Sequence, residues 1–362
     1  MAAYRPNRRP TQNDVAQRAG VSQATVSLVL NKVSGSHIPE ETRLRVFNAI
    51  DELGYRPNTL ASSLRLGKTQ TLGLILPDIA NPFFAEVSRS IESAAFEQNY
   101  NLILCNTESD IERELLYVDV LCNRQVDGII FVAVGDQADS LQRVLCKNIP
   151  VVMIDRDLPG TEVDAVLTDN RLGGFQATQH LIDLGHHRIG CIAGPSDVNP
   201  SAERLSGFKA ALNKNGLFVD AGMIKRGDFQ LESGWKRAFE ILDQRERPTA
   251  IFACNDLMAL GVLRAAAVLK LSVPDNLSIV GFDNINLASY STPPLTTIAQ
   301  PTNEIGVRAV TMLVERMKDH EREPRRERLD TTLIIRGSCA RVEGGEIQNI
   351  KNPQPSENKV ML

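Results

Sequence analysis

From Thr71 onward the chain alternates between two hydrophobic periods, and this alternation restricts its architecture more than any other feature. The runs TLGLIL, NLILC, GIIFVAV, PVVMI, RIGCIAG, TAIFAC and LSIVGF are short, apolar and rich in β-branched residues, as in strands buried on both faces. Between them, residues 85–98, 112–124, 173–184, 202–215, 234–244 and 257–269 carry helical spacing. Strand–helix–strand repetition builds right-handed crossovers, so the pattern predicts parallel, doubly wound α/β sheets. The run is too long for one comfortable sheet. Two subdomains of similar plan accommodate it, dividing near residue 168, with the chain crossing back around 296–303. A ligand cleft then belongs at the carboxyl ends of the strands.

The first 68 residues follow a different rule. The stretch TQNDVAQRAGVSQATVSLVLN, residues 11–31, reads as two short helices joined by a tight turn. Thr11 with Asp14 three residues later is an N-terminal capping signal. Val15, Ala16 and Ala19 share one side, and Gly20 breaks the helix where a left-handed backbone would strain a β-carbon. Ser22 offers a second cap, and residues 23–30 turn Val26 and Val29/Leu30 inward. Small residues at the crossing, a glycine in the turn and a β-branched side chain filling the gap are what a helix-turn-helix requires. Ser22, Gln23, Thr25 and Ser27 then point outward. A third helix begins at Pro39, with Leu44, Phe47, Ile50 and Leu53 at three-residue spacing, and Gly54 closes it.

Charge is divided between these regions. Residues 1–68 hold ten Lys and Arg against five Asp and Glu, a net of +5, leaving −9 for the remainder of a total of −4. A basic head on an acidic body can meet phosphate while the body repels it. Residues 1–10 form a basic, proline-containing arm, and 11–57 the helix-turn-helix domain. In 58–68, Asn58 can cap a short helix that Gly67 closes, with Leu60 and Leu64 on one face and Arg65 and Lys68 adding charge. So short a helix is unstable alone and is expected to order only when something holds it. The core runs from 69 to 341. Residues 342–362 read as a disordered tail, without the leucine heptads of a coiled coil.

Several function classes lose support here. Six cysteines without CxxC spacing fit reduced thiols in a cytosolic protein. No apolar run approaches membrane-spanning length, and the N-terminus has no signal-peptide core. LRLGKT ends like a phosphate-binding loop, but the loop's first glycine would fall at Ser62. His186-His187 with Asp183 lacks metal-site spacing, and GPSDV lacks the second glycine of a nucleophile elbow. The expectations are no enzyme, no metal and no cofactor.

Over residues 11–340 the chain resembles the lactose-repressor family of bacterial transcription regulators. The resemblance rests on TQNDVAQRAGVSQATVSLVLN, YRPNTLASSLRLGKTQTLGLILPDIANPFF, ERLSGF, CNDLMALG, and GFDN followed by PPLTTI, in family order. It implies an all-α helix-turn-helix headpiece, a hinge helix and a two-subdomain core resembling periplasmic sugar-binding proteins. It further implies a cytoplasmic, nucleoid-associated homodimer, without membrane contact, that represses from a pseudo-palindromic operator in double-stranded DNA under control of a small-molecule effector such as a sugar. By position, Ser22, Gln23, Ala24, Thr25, Ser27, Leu28 and Asn31 match the operator-contact segment. Gln23 has the chemistry for a bidentate adenine contact. At Leu28 several members carry a polar or basic reader, so the operator sequence stays open. Leu64, beside Arg65, matches the hinge leucine that parts a base step in the minor groove. Phe83, Phe84, Asp155, Arg156, Arg204, Asn255, Asp256 and Asp283 match effector-contact positions. Whether the effector releases DNA or promotes binding is open at this point. A solute-binding protein of a transport system is the alternative, and it leaves residues 11–68 unexplained.

Overall fold

The computed structural model describes residues 10–30, 38–56, 68–135, 139–158, 160–244 and 246–342. Asn31, Leu64 and Arg65, the expected hinge helix, the basic arm before residue 10 and the tail beyond residue 342 lie outside them. The chain divides into two units, Met1–Thr69 and Gln70–Leu362.

The first unit holds helices α1 (Gln12–Ala19), α2 (Gln23–Leu30) and α3 (Glu40–Leu53). The capping box forms as the sequence predicts: the Thr11 amide donates to Asp14 Oδ2 at 2.7 Å, and the Asp14 amide to Thr11 Oγ1 at 3.4 Å. Gly20 closes α1 at φ +67°, a conformation glycine adopts without steric cost. The Thr25 amide donates to Ser22 Oγ at 3.1 Å, so Ser22 caps the second helix. Val15, Ala16, Ala19, Val26 and Val29 are buried together with Val46, Ala49 and Tyr55. The third helix departs from expectation. Leu44 is 60% exposed and Phe47 43% exposed, while Val46 and Ala49 face the core with Ile50 and Leu53 packed beside them. Two apolar stripes compete on α3, and the narrow space against α1 admits the one with the smaller side chains.

The second unit has two lobes. The first lobe begins with β1 (Thr71–Leu76), α4 (Pro82–Glu97), β2 (Asn101–Asn106), α5 (Ile111–Asn123), β3 (Gly128–Phe131), α6 (Asp139–Cys146), β4 (Val151–Ile154) and β5 (Asp164–Thr168). The second lobe follows with α7 (Asn170–Asp183), β6 (Ile189–Ala193), α8 (Asn199–Lys214), β7 (Ile224–Arg226), α9 (Leu231–Leu242), β8 (Ala250–Ala253), α10 (Asp256–Val268), β9 (Ser278–Asp283), α11 (Asn286–Tyr290) and β10 (Thr296–Ala299). The chain then returns through α12 (Thr302–Lys318) and β11 (Arg326–Leu329) to the first lobe, and β12 (Thr332–Ile334) completes the second.

The sheets run β11-β5-β4-β3-β1-β2 and β12-β10-β9-β8-β6-β7, parallel except for the β10–β12 pair. Strand order reverses between β1 and β3 in one sheet and between β6 and β8 in the other. Each reversal opens a crevice at the carboxyl ends of the strands. The chain passes from the first sheet to the second after β5, returns after β10, and passes over a third time between β11 and β12. The crossings are bonded to one another: the Asp169 amide donates to Leu329 O at 2.9 Å, and Thr168 Oγ1 to Gln300 Oε1 at 2.6 Å. The buried Asp164 carboxylate pins the returning segment by accepting from Arg316 Nε (2.9 Å), Arg322 Nη2 (2.6 Å) and the Arg325 amide (2.7 Å).

Candidate effector cleft and nucleic-acid interface

The crevice between the lobes is lined by Asn81, Phe83, Phe84, Asp155 and Arg156 from the first lobe and by Val198, Pro200, Arg204, Phe229, Asn255 and Asp283 from the second. Its free volume is about 30 Å³, far below the several hundred Å³ of a ligand site, so the lobes must part to admit one. Asn81 ends the loop after β1 and caps α4, its Oδ1 accepting from the Phe83 amide at 3.1 Å. That cap turns Phe83 and Phe84 into the cleft as an edge-to-face pair with ring centroids 5.0 Å apart. Asp155, directly after β4, holds φ +62°, and Asp283, closing β9, holds φ +112°. Left-handed backbone at two carboxylate-bearing residues is strain that the packed strand ends impose, and it presents both acids to the crevice.

Arg204 organises the second lobe's wall. Its Nε donates to Asn170 Oδ1 at 2.8 Å and its Nη1 to Cys254 O at 2.6 Å, with Asp283 Oδ1 at 3.4 Å. The guanidinium lies 3.8 Å from the centroid of the Phe282 ring. Across the cleft, Arg156 Nη1 donates to Ala133 O at 2.7 Å, and Nε lies 3.9 Å from Asp155 Oδ2. Each guanidinium therefore stands beside one carboxyl group. Among the described residues Arg156 Nε is buried without a hydrogen-bond partner, a donor that a polar ligand can use.

Burial dominates the titration of both acids. It raises the Asp155 carboxyl against the pull of Arg156 and Arg204. It raises Asp283 to about 7, with Arg204 and the Gln300 hydrogen bond opposing it and Asp155 and Glu86 adding to it. Because folding lifts this pKa above its ordinary value of 3.8, its contribution to stability is fully present below pH 3.8 and is lost as pH rises through about 7. Thermal midpoints of the ligand-free protein are thus expected to fall between pH 4 and pH 7. Asp283→Asn is expected to flatten that slope. An unchanged slope in the variant would assign the titration elsewhere.

Of the eight expected cleft residues, seven line the crevice and Asp256 does not. Its buried carboxylate lies behind the wall, Oδ2 accepting from the Ile285 amide at 2.8 Å and Oδ1 from Thr297 Oγ1 at 2.5 Å. There it holds the turn that carries Asp283 and Asn284. The cap of α10 is Asn255, whose Oδ1 accepts from the Met258 amide at 2.9 Å while its Nδ2 donates to Phe229 O at 2.9 Å. Sequence reasoning missed Asn81, Phe229, Asn170 and Gln300. The Asn-Pro pair at a helix start could have marked Asn81. The other three depend on which loops and crossings meet in space, and no local pattern records that.

In the first unit, Ser22, Gln23, Ala24 and Leu28 are exposed, and Thr25 and Ser27 are half-buried. Gln23 Nε2 reaches Gln12 Oε1 at 3.4 Å, a long bond at the surface that a base edge can replace. The segment thus presents short polar groups from one helix face, with Val26 and Val29 anchoring the opposite face in the core.

Comparison with known proteins agrees with both halves of this description. Residues 11–58 match the family described as "Bacterial regulatory proteins, lacI family", and residues 178–339 match a periplasmic binding protein-like domain. The ribose operon repressor of Escherichia coli (strain K12) is 40% identical over 332 residues, covering 91% of this chain and 99% of that protein. The HTH-type transcriptional repressor PurR of Photobacterium profundum is 39% identical over 329 residues, covering 91% and 98%. Among solved structures, a lac repressor dimer bound to operator and the anti-inducer ONPF superposes with a TM-score of 0.83 at 29% identity, covering 92% of this chain and all of that one. Full-length similarity to named repressors, a matched helix-turn-helix and a two-lobed core with a polar cleft converge on one conclusion: this chain belongs to the lacI family of bacterial regulatory proteins.

Proposed function

We propose that the chain is a cytoplasmic, nucleoid-associated transcription repressor that binds a pseudo-palindromic operator as a homodimer and responds to a neutral, pentose-sized sugar in its cleft. The reading is carried by one observation: an aromatic-walled crevice, each of its guanidiniums paired with a carboxyl group, lies between two lobes on a chain whose residues 11–58 match a DNA-binding module. Each guanidinium is already held by a carboxyl group and a main-chain carbonyl, which weakens either as an anchor for an anion. The Arg–Asp pairs offer fixed donors and acceptors to sugar hydroxyls, and Phe83, Phe84 and Phe229 supply apolar faces. The name of the 40% identical ribose operon repressor supports a pentose. Small relative movements of the lobes would alter the spacing of the two headpieces in a dimer, and so the affinity for DNA.

Of the residues proposed for DNA, Ser22, Ser27 and Asn31 suit phosphates, Gln23 suits adenine, and Ala24, Thr25 and Leu28 complete the face. Leu64, beside Arg65, would part the central base step. The test is a titration of full-length protein on a symmetric duplex and on its scrambled counterpart, at several salt concentrations, with and without D-ribose. We expect the symmetric site to bind roughly a thousandfold more tightly than the scrambled one. Leu64→Ala is expected to weaken that binding about tenfold or more, since the wedge repays the cost of unstacking. D-ribose, and not a sugar phosphate, is expected to shift the curve. Equal affinity for the two duplexes would overturn the operator reading, and a shift by the phosphate alone would overturn the neutral-sugar reading.

A further inference from the structure

At the mouth of the cleft, away from the three crossings, one hydrogen bond among the described residues joins the lobes directly. Gln230 Nε2, from the loop between β7 and α9, donates to Asp78 Oδ2 at 2.9 Å, from the loop after β1. Each partner is held before the two meet. Asp78 Oδ1 accepts from the Ala80 amide at 2.9 Å, and Asp78 O from the Asn81 amide at 3.3 Å, so the second carboxylate oxygen is aimed outward. The Gln230 amide donates to Asp228 Oδ1 at 2.9 Å, and the Asp228 amide to Ser233 Oγ at 3.1 Å.

The loop that carries Gln230 is under strain. Phe229 holds φ +69°, a left-handed conformation that a bulky side chain rarely adopts. Two contacts maintain it. Asn255 Nδ2 donates to Phe229 O at 2.9 Å, and the ring lies flush on Gly194, where a Cβ would come within 2.2 Å of Cζ. Phe229 lines the cleft, and its neighbour Gln230 crosses to the other lobe. On the opposite side, Asn81 lines the cleft three residues after Asp78. The ligand wall and the bridge across the mouth are therefore the same two loops.

We propose that Asp78 and Gln230 form a clasp that positions these walls around a bound effector and sets how long it stays. The inference rests on the cleft being the effector site. The bond is exposed and neutral on one side, so its net strength is modest. It acts on the lobe-closed state alone, and for that reason it governs release more than entry.

The experiment uses stopped-flow binding of D-ribose to the full-length protein. The fluorescence of Trp235 reports it, since this is the single tryptophan in the chain and sits five residues after Gln230, edge-on to Phe239. Gln230→Ala is expected to speed release about threefold, and Gln230→Glu, which sets carboxylate against carboxylate, about tenfold. Adding Asp78→Asn to Gln230→Glu restores a donor–acceptor pair with the roles exchanged, and is expected to return release to within about twofold of the parent. Release unchanged in Gln230→Glu, or not rescued in the double variant, would overturn the clasp. If the parent does not bind D-ribose, the sugar reading fails and the clasp is read without ligand. Hydrogen exchange of residues 227–233 is then expected to quicken in Gln230→Glu and recover in the double variant, and exchange equal in all three proteins would sink it.

Discussion

Replacing Arg204 with alanine is expected to cost the cleft at least about 3 kcal/mol of effector binding, a hundredfold or more in affinity. The guanidinium is buried and serves four neighbours at once: Asn170, Cys254 O, Asp283 and the Phe282 ring. Its loss leaves Asp283 buried with no cation beside it, and the carboxyl, already raised to about 7, must rise further and stay protonated at neutral pH. A protonated acid no longer accepts two hydroxyl donors. Arg204→Lys is not expected to rescue, because a point ammonium cannot lie flat over Phe282 while donating to two acceptors on different elements. Calorimetric titration with D-ribose measures the first effect, and duplex binding should persist in both variants without responding to the sugar. An affinity within tenfold of the parent would show that Arg204 only braces the wall.

Gly207→Ala is expected to be the most destabilising one-carbon change in the core. A Cβ there would sit 2.1 Å from Arg171 O and 2.6 Å from the Phe175 amide nitrogen, on the face where α7 and α8 cross. A Cβ at Gly174 would likewise come within 2.2 Å of Arg204 O from the other side. Backbone cannot yield as a side-chain tip does, so the helices must separate. Overpacking of this kind costs about 3 kcal/mol, against which alanine's better helix propensity returns only about 1 kcal/mol. The melting temperature should drop by about 4–8 °C for a domain of this size. Because Arg204 lies one turn earlier on the same helix, effector affinity should fall with it. Gly216→Ala is the control: its φ of +67° carries strain, but nothing lies within 4 Å of the added carbon. Denaturant unfolding of both variants decides the matter, and equal losses would mean that the close crossing is not what Gly207 serves.

Much of the cleft was legible in the chain because its residues sit at the ends of elements that announce themselves. Asp155 and Asp283 end apolar runs, Asn255 precedes a helical pattern, and Phe83 and Phe84 follow an Asn-Pro start. Asp256 was misplaced for a physical reason. Two adjacent polar residues open α10, and local spacing cannot say which faces the crevice. The Ile285 amide, from the turn after β9, and the Thr297 hydroxyl, from β10, turn Asp256 inward. Leu44 and Phe47 failed similarly, since either stripe of α3 can make a helix and only α1 and α2 choose between them. β11, RERL, has no apolar run at all and becomes a strand because β5 offers it an edge.

Hydrophobic period, capping residues and turn glycines act within about one helical turn or one strand pair. From them alone come the two-part organisation, the doubly wound sheets and the helix-turn-helix. The third crossing, the Thr168–Gln300–Asp283 link behind the cleft and the facing of the Arg204–Asp283 and Arg156–Asp155 pairs needed the folded chain. They join groups more than a hundred positions apart or on opposite lobes, and an interaction of that range exists only after burial has brought its partners together and removed the water between them.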